Sequence, residues 1–299
     1  IKASNYIPNN SARDLVRTKS DAIGLVVRGV SNPFYTEIIQ AIESTVTDAG
    51  FTLVMQQIGA CDDEVKRAAV MEREKRLRGI VFLGGRFDYT PADLALLNIP
   101  FVCCSFSNRY GTLIEGEYSS VSIADGDTAR QAVEELYRHG HRQIAALISR
   151  PDDQSISQLR YEGYVQALES HGIPVDPGLV IAAEGFGVRD GYEAIRRKLA
   201  EGTEFTALFA IADSMAIGAM RALMDAGKRV PEDCSVIAID GLELSAYIEP
   251  PLTTLCQPMA EMGRRSAEIL VDMVQHKGTH ACEVLPTTLR HGRSVAQCK

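Results

Sequence analysis

Carboxylates, an arginine and aromatic rings recur in this chain directly after short apolar runs. Arg28, Asn32, Phe34 and Tyr35 follow IGLVV, which begins at Ile23. Ser105 and Phe106 follow FVCC, Phe186 follows LVIAAEG, Asp213 follows TALFAIA and Asp240 follows SVIAI. Carboxylates accept hydrogen bonds from hydroxyls, guanidinium groups donate them, and aromatic rings cover apolar faces, so the set suits a polyhydroxy ligand. Each residue also has a plainer role. Asp213 and Asp240 suit caps or turns after strands, Phe34 suits a core, and Arg160 in SQLRYEGY suits a solvated helix face. What favours binding is that all of them fall on one predicted side, beyond the carboxyl ends of parallel strands, where open α/β sheets take ligands.

Catalytic motifs are missing. Gly185, Gly187 and Gly191 form GxGxxxG, one residue off the dinucleotide fingerprint and without the acidic residue expected about 20 positions on. No GxxxxGK[ST], HExxH or GxSxG occurs, and no serine sits in a nucleophile elbow. Paired carboxylates can do acid–base work, but nothing else supports turnover. The expectation is a non-enzyme without a cofactor. The six histidines give no metal-ligand spacing: His139 and His141 flank Gly140, and His276 and His280 lie around Gly278.

The elements that must position these residues alternate. Strand candidates are IGLVV, TLVMQ, GIVFL, FVCCS, SSVSI, QIAALI, LVIAA, TALFAI and SVIAI. Most are continuous apolar runs, as in sheets covered on both faces. Amphipathic helical stretches lie between them, among them FYTEIIQAIESTVTDAG, DTARQAVEELYRHG, RYEGYVQALESHG and DSMAIGAMRALMDAG. Nine strands exceed one tidy doubly wound sheet, so two α/β lobes fit better, near 21–124 and 125–255.

The chain has 299 residues, 45% of them hydrophobic and 23% charged, with a net charge of −8. That is ordinary for a globular protein with sizeable cores. No apolar run approaches the roughly 20 residues of a membrane span. Seven scattered cysteines without CxxC indicate a reducing compartment and no disulfide framework. The acidic balance argues against broad contact with nucleic acid. The first twenty residues differ: Lys2, Arg13, Arg17 and Lys19 stand against Asp14 alone.

That basic segment carries the most specific pattern. Tyr6-x-Pro8-Asn9-x-x-Ala12-Arg13-x-Leu15, Lys19-Ser20, IGLVV and Asn32-Pro33-Phe34-Tyr35 follow in order. Further on come RGIVFLG, VSIADGDTARQAVEELYRHGHRQIAAL, RYEGYVQAL, ADSMAIGAMRAL, RVPEDCSVIAIDGLE, PPLTTLCQP and RRSV. Essentially the whole chain thereby resembles the LacI/GalR (lactose/galactose repressor) family of bacterial transcription regulators. Each piece is weak alone; the ordered set is specific.

The resemblance implies a two-lobed, periplasmic-binding-protein-like α/β fold with three crossovers, acting as a cytoplasmic homodimer. Residues 21–124 with 256–286 would form the first lobe, and 125–255 with 287–299 the second. Residues 1–20 would be the hinge of a helix-turn-helix headpiece absent from this chain, IKAS being the end of its last helix. Asn9, Ala12, Arg13 and Leu15 match the hinge that becomes helical on operator DNA. Leu15 matches the residue that wedges into the minor groove, where unstacking is exchanged for a bend that brings more contacts. The basic residues add a salt-dependent phosphate attraction. Phe34, Tyr35, Ser105, Arg160, Phe186, Asp213 and Asp240 match or neighbour effector-contacting positions, Arg160 and Asp240 best. Sugar-responsive members often carry Asn or Asp where this chain has Ala212, and with no Trp the stacking ring would be Phe186. The expectation is a repressor controlled allosterically by a sugar or glycoside, with nucleosides, purines and sugar phosphates as alternatives. A periplasmic sugar-binding protein of a transport system is the competing reading. The basic segment and the cysteines weigh against it.

Overall fold

The computed structural model describes residues 21–299 except positions 30, 31, 60, 61, 115, 150, 152 and 153. The expected hinge residues Asn9, Ala12, Arg13 and Leu15 lie outside the described residues. In chain order the first half runs β1 (Ala22–Arg28), α1 (Tyr35–Asp48), β2 (Thr52–Ile58), α2 (Glu64–Lys75), β3 (Gly79–Leu83), α3 (Pro91–Leu94), β4 (Phe101–Cys104) and β5 (Ser120–Ile123). It continues with α4 (Asp125–Arg138), β6 (Ile144–Ile148), α5 (Ile156–Ser170), β7 (Val180–Ala182), α6 (Val188–Ala200), β8 (Ala207–Ala210), α7 (Asp213–Asp225) and β9 (Ser235–Asp240). The end of the chain is β10 (Thr253–Cys256), α8 (Met259–His276), β11 (Cys282–Leu285) and β12 (Thr288–Arg290).

Two six-stranded sheets result, in the orders β11-β5-β4-β3-β1-β2 and β12-β10-β9-β8-β6-β7. All pairings are parallel except β10 with β12. The chain passes from one sheet to the other after β5, between β10 and α8, and between β11 and β12. This is the two-lobed α/β architecture with three crossovers. In each sheet the strand order reverses beside its first strand, at β1/β3 and at β6/β8. A reversal leaves a crevice at the carboxyl ends, because the connecting helices leave for opposite faces.

The pleat explains how each sheet is covered. Ile23, Leu25 and Val27 face one side of the first sheet and pack with Ile38 and Ile42 of α1 and Leu270 of α8. Ala22 and Val26 face the other side, with Val65, Ala68 and Met71 of α2. Alternation with period two puts neighbours on opposite faces, and burying each aliphatic side chain contributes about 1.5–3 kcal/mol. The central strands β3 and β6 are buried throughout, while the edge strand β2 alternates with exposed residues. α1 buries Ile38, Ile42 and Val46 at a spacing of four, and the chain then turns at Gly50 with φ +83°. The second sheet has its own core, in which Leu147 and Phe209 meet Leu136 of α4, Tyr164 of α5 and Met215 of α7.

Candidate functional site

A cleft of about 590 Å³ opens at the carboxyl ends of both sheets. Arg28 and Tyr35 come from the end of β1 and the start of α1, Gly84, Gly85 and Phe87 from the loop after β3, and Ser105 from the end of β4. The second lobe contributes Ser155 and Ile156 at the start of α5, and Phe186, Val188 and Asp190 around the start of α6. A smaller inner chamber of about 80 Å³ adjoins it and shares Asn32, Tyr35, Ser105, Ile156 and Phe186. Phe34, Arg160, Ala212, Asp240 and Gln257 complete its lining.

The floor of this chamber is a buried ionic network. Arg160 is 2% exposed. Its Nε donates to Asp125 Oδ1 at 2.9 Å, and Nη2 lies 2.9 Å from the same oxygen. Nη1 donates to the Ile211 carbonyl and reaches Asp240 Oδ1 at 3.5 Å. Gln257 Nε2 donates to Asp240 Oδ1 at 2.9 Å, and the Asp213 N–H approaches Asp240 Oδ2 at 3.4 Å. Charges survive so far from water only when paired in this way. Burial raises the pKa of Asp125 and lifts that of Asp240 to about 7, against the lowering pull of Arg160 on each. Burial also raises Tyr35 to about 12, so its phenol stays a neutral donor and acceptor.

Six of the seven residues expected from sequence come together: Phe34, Tyr35, Ser105, Arg160, Phe186 and Asp240 line the cleft or its inner chamber. Asp213 lines neither the cleft nor the chamber. As the first residue of α7 it is fully buried, and it turns its carboxylate into the loop after β9. Oδ2 accepts from the N–H groups of Gly241 and Leu242 and from Ser245 Oγ, and Oδ1 accepts from Thr254 Oγ1. Its oxygens brace protein, and its backbone N–H touches Asp240. Phe106 likewise turns inward, among the rings of Phe87, Tyr89 and Tyr118.

Backbone strain marks the same place. Ser105 and Asp240 hold φ of +57° and +137°, in the region that side chains disfavour. Such positions cost about 1–3 kcal/mol and concentrate at functional sites. A second polar cluster supports the first lobe's wall: buried Glu64 accepts from Arg28, from the Tyr89 hydroxyl and from the Arg86 N–H. Asp125, Gln257, Glu64 and Asp190 join the site without having stood out in the sequence. In Asp190's case a signal was present, since the GxGxxxG glycines stand beside it. The carboxylate accepts from the Gly187 N–H at 2.9 Å, holding the helix end that a dinucleotide phosphate would need.

Among the described residues no group of three or more His, Cys, Asp and Glu is placed to hold a metal. No described helix is long and apolar enough to cross a membrane.

Comparison with known proteins gives a consistent picture. Residues 133–295 match the model of a periplasmic binding protein-like domain. The HTH-type transcriptional regulator MalR of Clostridium butyricum is 34% identical over 291 residues, covering 97% of this chain and 86% of MalR. Among solved structures, the complex of the transcriptional regulator CelR with cellobiose is similar at a TM-score of 0.80 and 27% identity, covering 98% and 93% of the two chains. The lac repressor dimer bound to operator and the anti-inducer ONPF is similar at 0.81 and 27%, covering 98% and 100%.

Proposed function

This chain belongs to the LacI family of transcription regulators, and on that premise we propose that it is a repressor whose grip on operator DNA is set by a sugar held between its two lobes. The observation that carries the sugar reading is the inner chamber. There Arg160 is clamped between Asp125 and Asp240, beneath a cleft walled by Tyr35, Phe87 and Phe186. Ionised carboxylate oxygens and the Gln257 carboxamide offer acceptors to hydroxyl groups, and the rings offer apolar faces to the C–H side of a pyranose. That the cellobiose complex of CelR is similar to this chain is in keeping with a saccharide.

The mechanism follows from the connectivity. A ligand bridging Tyr35 and Ser105 of one lobe to Phe186 and Arg160 of the other favours one relative placement of the lobes. It shifts the equilibrium only by its differential affinity for the two arrangements. In a homodimer that placement would set the spacing of two hinge segments, with Asn9, Ala12 and Arg13 along the DNA and Leu15 in the minor groove. By reciprocity, operator binding changes sugar affinity by the same factor. This reading places the protein in the cytoplasm, where operator DNA lies, and assigns it no enzymatic activity.

A thermal-shift screen of maltose, cellobiose, glucose, adenosine, guanine and glucose 6-phosphate tests the ligand class. A true ligand at 100 times its Kd stabilises the fold by about 2.7 kcal/mol. A rise in melting temperature with a sugar supports the reading. A rise confined to the nucleoside or purine overturns it.

A further inference from the structure

Both arginines that line the cleft already have carboxylate partners. Arg28 pairs with Glu64, which is 1% exposed. Arg160 is shared by two buried carboxylates, Asp125 and Asp240, and spends a further N–H on the Ile211 carbonyl. A guanidinium has five N–H donors and no acceptor, so little of Arg160 is left for an anion. Of the carboxylates, Asp240 and Asp190 belong to the lining itself while Glu64 and Asp125 stand behind it, and no lysine lines the cleft among the described residues. The two arginines therefore face four carboxylates: Glu64, Asp125, Asp240 and Asp190.

The floor also leaves one buried acceptor over. The Gln257 Nε2 hydrogen bond to Asp240 fixes the amide orientation, because the flipped amide would set its oxygen against a carboxylate. The remaining Oε1 has no hydrogen-bond partner among the described residues, and Gln257 is 4% exposed. A buried acceptor left unpaired costs about 1–3 kcal/mol, which a donor from a ligand would offset. The floor thus calls for O–H donors and repels negative charge, more strongly than in water because low-dielectric walls reduce screening.

We propose that the effector is an uncharged saccharide and that the cleft discriminates against its phosphorylated counterpart. This rests on the carbohydrate reading above and narrows it.

The test is calorimetric titration at pH 8 with two matched pairs: trehalose against trehalose 6-phosphate, and glucose against glucose 6-phosphate. Maltose and cellobiose serve as further neutral probes. The expected result is that a neutral sugar binds, and that no phosphorylated probe binds within tenfold of the tightest neutral one. Asp190→Asn, which removes one lining charge outside the buried floor, should narrow the gap between neutral and phosphorylated sugar. A phosphorylated probe binding as tightly as the neutral sugars overturns the proposal while leaving the carbohydrate reading intact. If none of the sugars binds and guanine or adenosine does, the carbohydrate reading itself fails, and the proposal with it.

Discussion

Gly163 of α5 lies against Gly126 of α4 so closely that a Cβ on Gly163 would stand 2.1 Å from the Gly126 carbonyl oxygen. Arg160, three residues before Gly163, is thereby brought onto Asp125, the residue before Gly126. The contact between two helices and the clamp at the floor of the cleft are one arrangement. Gly163→Ala should force the helices apart, costing about 1–3 kcal/mol as overpacking does, and should weaken sugar binding as well. Urea denaturation and titration calorimetry measure the two effects. A variant as stable as the parent would show that the crossing yields freely.

Asp213 should behave as a structural residue. Asp213→Ala strands the N–H groups of Gly241 and Leu242 and the Thr254 hydroxyl, while the Ser245 hydroxyl keeps the Leu242 carbonyl. Each buried donor left unpaired costs about 1–3 kcal/mol. The midpoint of denaturant unfolding should fall accordingly. An unchanged midpoint would contradict the bracing role.

Asp240 gives a pH dependence whose sign follows from burial. Its pKa stands near 7 in the fold, against about 3.9 for an unperturbed aspartate. Between those values the folded state binds more protons than the unfolded state, so this group's contribution to stability falls as pH rises from about 4 to 7. Asp240→Asn should flatten that part of the profile. If hydroxyls donate to the ionised carboxylate, sugar affinity in the parent should instead rise from pH 6 to pH 8. A variant with the parent's slope would assign the titration to another group.

Phe186 is half-buried at the start of α6, so truncation should spare the fold and reduce affinity. Phe186→Ala should lose about 1 kcal/mol of binding, roughly fivefold to tenfold in Kd, by removing one ring face. An unchanged Kd in calorimetry would remove Phe186 from the site.

Much of this was legible before the fold was known. The apolar runs mark β1, β3, β6, β8 and β9, and the four-residue spacing of Ile38, Ile42 and Val46 marks α1. The short edge strand β12 and its neighbour β10 were not marked, because Thr253–Cys256 and Thr288–Arg290 mix polar and apolar residues. Asp213 and Asp240 look alike in sequence, each next to a strand end. Which way each carboxylate turns depends on the loop after β9, which no spacing encodes. Asp125 reads as a first-turn helix acid, and Gln257 as a linker residue. Their meeting with Arg160 and Asp240 depends on a topology that closes separations of 35 and 17 residues.

The central claim is that Arg160, held by two carboxylates, organises a sugar site between the lobes. Arg160→Lys keeps the charge but removes the planar fork that spans Asp125 and Asp240. The decisive measurement is the Kd, by titration calorimetry, of the sugar that raises the parent's melting temperature, taken on parent and variant with folding checked by circular dichroism. The expected result is a folded variant with affinity reduced by about tenfold to a hundredfold, or about 1.4–2.7 kcal/mol. A folded variant that binds the sugar as tightly as the parent would contradict it.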